Sequence, residues 1–175
     1  QLVFDIIGSG GSDDPSWVPN LQDAKIIEVI KASIGNGCIS YLHISLPLKT
    51  WSQRREDNDC GPPVVRSSTH PDGLPGLRGA SRDEVQRANQ LLQTSVDIVA
   101  LACKLGVAVS FEHPNDSWVW STSALRFIMD KTLRPSSSSD KAFSTFETGL
   151  VDFCQFGSSS NRSTKFVCWN ANGLF

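Results

Sequence analysis

Long hydrophobic runs are missing from this chain, and with them any segment able to cross a bilayer, since its apolar stretches fall far short of the ~20 residues a membrane helix needs. An excess of charge is missing too. Sixteen Lys and Arg stand against eighteen Asp and Glu, for a net charge of −2. That balance demands no nucleic-acid partner, although a local basic patch is still allowed. Paired cysteines are also absent. Cys38, Cys60, Cys103, Cys154 and Cys168 are odd in number and widely spaced, which speaks against a disulfide framework or a C-x-x-C zinc site. Free buried thiols in a reducing compartment fit better. The opening Gln1-Leu2-Val3-Phe4-Asp5 has neither a charged region nor a small-residue cleavage site, so no secretory signal is expected. The expectation is an intracellular protein, cytoplasmic or nuclear, with no membrane contact.

What is present suits one domain over 1–175, with 39% hydrophobic residues to build its core. Residues 2–7 read as a strand buried on both faces, running into Gly8-Ser9-Gly10-Gly11. Asn20 is a candidate cap for a helix over 22–34, whose stripe is Ile26, Ile27, Ile30 and Ile34. A second strand covers 39–46. A long loop follows over 49–80, with Trp51, Cys60, His70 and several prolines and glycines. Loops of that length usually carry function or are ordered against something else.

The clearest helix spans 82–105. Ser81 and Glu84 have capping-box spacing, Gly106 can end it, and Val85, Ala88, Leu92, Val96, Val99 and Cys103 mark one apolar face. A short strand over 107–111 comes next, then a helix over about 121–131 and a serine-rich loop over 135–140. Strands at 150–154 and 165–169 close the chain, near enough for an antiparallel hairpin. Alternating strands and helices imply a mainly parallel sheet flanked by helices in three layers. Ligands in such sheets bind beyond the carboxyl ends of the strands. Gly8–Gly11, Pro47–Ser52, Glu112–Trp120 and Gln155–Arg162 all follow strands, so they are expected to share one cleft.

Each motif also has a plain reading. The glycines after residue 7 suit a turn as well as a cofactor's close approach. Glu112 at a strand end could orient or protonate a substrate ring, while Pro114 could simply stop the strand and Asn115 or Asp116 cap the next element. Gln155, Asn161, Arg162 and Lys165 could meet a phosphate backbone, and on a solvated loop they need do nothing specific. His43 alternates with apolar neighbours and reads as a satisfied core histidine. His70 and Cys60 lack the spacing of a metal set, so no metal is expected. No base is evident beside Cys60 to make it a nucleophile.

Together these motifs resemble the cytosine-5 DNA methyltransferases, in particular the degenerate methyltransferase-like domains of retroelement and virus-like polyproteins in fungi and protists. The resemblance runs from Leu2 to Trp169. It implies the class I methyltransferase, Rossmann-like α/β fold. Asp5, Gly8, Gly10 and Gly11 match the loop that holds S-adenosylmethionine. Pro47-Leu48 matches the Pro-Cys pair that supplies the nucleophile. Glu112-His113 matches the Glu-Asn pair that grips the base. Gln155 and Arg162 match the segment supporting the catalytic loop, with Thr164 in place of its second arginine. Pro47, Trp51, His113, Gln155 and Arg162 would then line a nucleic-acid or substrate surface.

Two departures point away from catalysis. Leu48 offers only hydrocarbon where covalent attack needs a thiolate. Asp5 and Leu48 are 43 positions apart (48 − 5) with a single helix between them, where the family has a further strand and helix. The expectation is therefore a non-catalytic module, without cofactor, that binds a protein partner or assembles within a larger particle, viral or retroelement-derived. The alternative is an S-adenosylmethionine-dependent methyltransferase acting on nucleic acid or another substrate, with Glu112 as acid or base. A third class, a nucleic-acid binder, would rest on Arg54, Arg55, Arg66, Arg78, Arg82 and Arg162.

Overall fold

Alternation of side chains decides the centre of the sheet. Leu42 and Ile44, Val109 and Phe111, and Val167 and Trp169 fall at every second position of three strands, and all are at most 1% exposed. The computed structural model describes residues 4–7, 21–53, 61–133, 146–157 and 162–171, with backbone only for 4–7 and 131–133. Its elements are β1 (Phe4–Ile7), α1 (Ala24–Gly35), β2 (Tyr41–Ser45), α2 (Gly79–Lys104), β3 (Ala108–Pro114), α3 (Ser123–Leu133), β4 (Phe146–Asp152) and β5 (Ser163–Trp169). Short 3-10 turns lie at Lys49–Trp51, Trp118–Ser121 and Phe153–Phe156.

The sheet has five strands in the order β1-β2-β3-β5-β4. β1, β2 and β3 are parallel, while β5 is antiparallel to both β3 and β4. The fold is thus α/β, and the closing hairpin is as expected. The sheet is mixed in equal parts rather than mainly parallel, because the hairpin inserts β5 next to β3 instead of adding a crossover. The serine-rich loop at 135–140 lies outside the described residues.

The expected three layers are two among the described residues. Ile30 and Ile34 of α1, Leu92, Val96 and Val99 of α2, and Leu125 and Ile128 of α3 join one cluster with the buried strand set. The cause is connectivity. β1, β2 and β3 succeed one another in the same direction, and right-handed crossovers then put both intervening helices on one side. The other face carries Tyr41, His43 and Ser45, Ser110 and Glu112, and Phe166 and Cys168.

Local chemistry shifts several boundaries. Asp23, not Asn20, caps α1, its Oδ1 accepting from the Lys25 N–H at 2.9 Å; Asn20 lies outside the described residues. The Ser81–Glu84 capping box does not form. α2 starts two residues before Ser81, at Gly79, whose φ of +53° brings the chain in, and Arg78 makes no side-chain cap. The expected stripe on α2 holds, with Val85, Leu92, Val96, Val99 and Cys103 buried. β3 runs on to Pro114 because β5 pairs with Glu112, His113 and Pro114. β4 begins at Phe146, and Phe153 and Cys154, expected in that strand, form a 3-10 turn.

The segment after the 3-10 turn at Lys49–Trp51 is ordered by burial, and residues 54–60 lie outside the described set. Val65 and Arg66 are each 1% exposed. The Arg66 guanidinium donates to Thr50 Oγ1 at 3.0 and 3.2 Å, to the Pro71 carbonyl at 2.6 Å and to Asn89 Oδ1 at 2.8 Å. It also lies over the Trp51 ring, 4.8 Å from the centroid. Asp72 accepts from the Ser123 N–H at the start of α3. One buried cation thus ties the loop to α2 and to the turn after β2.

Candidate functional site

Register brings the ends of the strands into line. Ile7 pairs with Ser45 and Ser45 with Glu112, so β1, β2 and β3 end at one edge. β5 starts at that edge, with Thr164 opposite Pro114. Pro47, Glu112, His113 and Arg162 therefore lie toward one edge of the sheet. Asp5 sits in β1 opposite His43. Gly8, Gly10, Gly11 and Asn161 lie outside the described residues.

A polar chain crosses β2 and β3 on the sheet face away from the helices. Ser110 Oγ is 2.6 Å from Tyr41 Oη and 2.6 Å from His43 Nδ1. His43 Nε2 is 3.8 Å from Glu112 Oε1. Ser110 has one proton, so it donates to one neighbour and accepts from the other. If Tyr41 donates to Ser110 and Ser110 to Nδ1, the ring proton sits on Nε2 facing Glu112, and every group is satisfied. His43, aided by the Ser45 hydroxyl, holds the Glu112 carboxyl below its ordinary range against the opposing effect of burial. His43 is a satisfied histidine as expected, but half-buried and paired with the candidate acid rather than in the core.

His113 points the other way, into the core, and is 2% exposed. Among the described residues neither ring nitrogen makes a hydrogen bond. Burial pushes its pKa down to about 4, while the Glu112 charge and the Leu46 and Pro47 carbonyls only partly oppose that. Trp51, expected at a substrate surface, is 1% exposed and meets His113 edge-on, with ring centroids 6.0 Å apart. Its indole N–H also makes no hydrogen bond among the described residues. Leu48 begins the 3-10 turn, its carbonyl accepting from the Trp51 N–H at 2.8 Å.

The remaining expected residues come to the same edge without joining the polar chain: Gln155 is exposed in the turn after β4, which ends opposite the start of β5, and Arg162 is half-buried just before β5. Arg66 is buried, so it cannot serve in a phosphate-binding surface; Arg54 and Arg55 lie outside the described residues. Cys103 and Cys168 are buried, which raises their thiols to about 12 and about 11. Cys38 and Cys154 are exposed, contrary to the expectation of buried thiols, and Cys60 lies outside the described residues. Ser117, rather than Asn115 or Asp116, caps the turn after β3 by accepting from the Val119 N–H. Among the described residues no group of three or more His, Cys, Asp and Glu could hold a metal ion, and no helix is long and apolar enough to cross a membrane.

Tyr41, Ser45 and Ser110 escaped the sequence reading as site residues. Their signal was the polar alternation Tyr41, His43, Ser45 within an apolar run, and only the strand register adds Ser110. Comparison with protein-family models, curated proteins and solved structures finds no match for this chain.

Proposed function

We propose that this chain is a methyltransferase-like module of Rossmann-like ancestry that no longer transfers methyl groups and acts by binding a protein partner, as an accessory part of a larger assembly such as a viral or retroelement particle. The observation that carries the reading is Leu48, in the turn beyond β2 at the edge shared with Glu112. That adjacency is what the resemblance to cytosine-5 methyltransferases requires of its nucleophile and its base-gripping carboxylate. A leucine there removes the covalent step altogether.

Two further features support loss of chemistry. Glu112 is engaged by His43 and Ser45 and favours its charged form, which suits a structural pair better than a proton donor. His113, in place of the expected Asn, is turned into the core. The rival reading, an S-adenosylmethionine-dependent methyltransferase, would rest on Asp5 and the glycines that follow β1, with Glu112 as acid or base.

Calorimetric titration with S-adenosylmethionine separates the two. No heat of binding is expected at ligand concentrations up to roughly 1 mM. Tight binding at one site would overturn the proposal, and labelled methyl incorporation lost in Glu112→Ala would establish the enzyme.

A further inference from the structure

A cavity of about 580 Å³ opens between the turn after β2 and the first half of α2. Its helix wall is Ala80, Ser81, Glu84, Arg87, Ala88 and Leu91, a single face at helical spacing. Pro47, Lys49, Thr50 and Trp51 form the opposite wall, closed by Gln22 and Pro63. The volume falls in the range of small-molecule sites.

Three observations give the cavity a chemical preference. Lys49 and Arg87 border it, and neither makes an ion pair among the described residues. The first turn of α2, which gives Ala80 and Ser81 to the lining, contains no acidic residue and no side-chain cap among the described residues, so the positive end of the helix is not offset there. Pro47, Pro63 and Leu91 make much of the remaining lining apolar beside Gln22, Thr50 and Ser81, and the buried Trp51 indole N–H makes no hydrogen bond among the described residues. Glu84 is the one acid in the lining and has a partner of its own.

We propose that this cavity binds a phosphomonoester with a flat apolar body, the phosphate held by Lys49, Arg87 and the start of α2 and the body seated against Pro47, Pro63 and Leu91, with the buried Trp51 beneath. Two cations and an uncapped helix start suit a dianion. Burial of the flat part supplies affinity that inorganic phosphate cannot gain. The site goes beyond the scaffold reading. It shares Pro47 and Trp51 with the strand-end edge but uses neither Glu112 nor the glycines after β1.

The test is an NMR titration of the whole chain with phenyl phosphate, phenol and inorganic phosphate, the Trp51 indole signal being assigned by its loss in Trp51→Phe. Phenyl phosphate is expected to bind with a dissociation constant near or below roughly 1 mM and to shift that signal. Phenol and inorganic phosphate should each bind roughly tenfold more weakly. Lys49→Ala and Arg87→Ala, both exposed positions, should each weaken phenyl phosphate roughly fivefold with the rest of the spectrum preserved. No shift by roughly 10 mM would overturn the proposal. So would phenol binding as tightly as phenyl phosphate, or undiminished affinity in both alanine variants.

Discussion

Burying an imidazole without hydrogen-bond partners costs free energy and makes the ring resist protonation. His113 is such a ring, its pKa lowered to about 4 by desolvation. An unfolded chain takes up that proton near the ordinary value of about 6.5, so between these values the unfolded state binds more protons than the folded one. Stability from this group is therefore full above pH 6.5 and is lost as pH falls toward 4. Urea unfolding should show a loss of about 2 kcal/mol between pH 7.5 and pH 5 from His113 alone. In His113→Leu most of that slope should vanish, and stability at pH 7.5 should hold or rise, because a desolvated ring whose nitrogens make no hydrogen bond among the described residues is replaced by hydrocarbon. An unchanged slope would show that the ring gains partners in solution. Glu112 acts in the same direction in a more acidic window: its lowered carboxyl adds stability above the unfolded value that is lost as pH falls through the folded one. Adjacent in the chain, Glu112 and His113 read as one site, whereas strand alternation turns them to opposite faces.

Among the elements, α2 was the most legible because its evidence is local, a stripe at alternating spacings of three and four ending at a glycine. The segment before it was not. Residues 61–78 have no period, and the partners that order them, Thr50, Asn89 and Ser123, are far away in sequence. Nothing local marks Arg66 as buried while Arg78 and Arg82 stay exposed. The same segment meets α2 closely at Gly73, where φ is +131° and a Cβ would stand 2.8 Å from Val85 Cγ1. Gly73→Ala should therefore cost about 1–3 kcal/mol in chemical denaturation, from strain and from displacing Val85. Gly76 also has a positive φ, +82°, but a Cβ there meets nothing within 4 Å. Gly76→Ala should cost less, about 1 kcal/mol, since only backbone strain applies. Equal costs at the two positions would mean that the contact with Val85 yields freely.

For the whole molecule, strand content and the final hairpin were legible, but strand order and the side on which the helices lie were not. Both depend on where the hairpin docks, and composition leaves that open. It docks with β5 inside: Val167 and Trp169 are 0% exposed and sit opposite Phe111 and Val109. One residue joins this last strand to the first half of the fold. Asn170 has a φ of +52°, and its side-chain amide donates to the Cys103 carbonyl at 3.2 Å and to the Val107 carbonyl at 3.0 Å, either side of the turn from α2 into β3. Asparagine fits both demands, as it tolerates the left-handed region and its amide reaches back to the turn. The two demands can be separated by substitution. Asn170→Gly keeps the backbone conformation and loses the two bonds, which should lower stability by about 1–2 kcal/mol. Asn170→Ala loses the bonds and adds backbone strain, for about 1 kcal/mol more. Thermal or urea unfolding of the pair measures the difference. If Asn170→Gly matches the parent chain, the amide bonds contribute nothing net, and the hairpin is held to β3 by its ladder and its buried Trp169 alone.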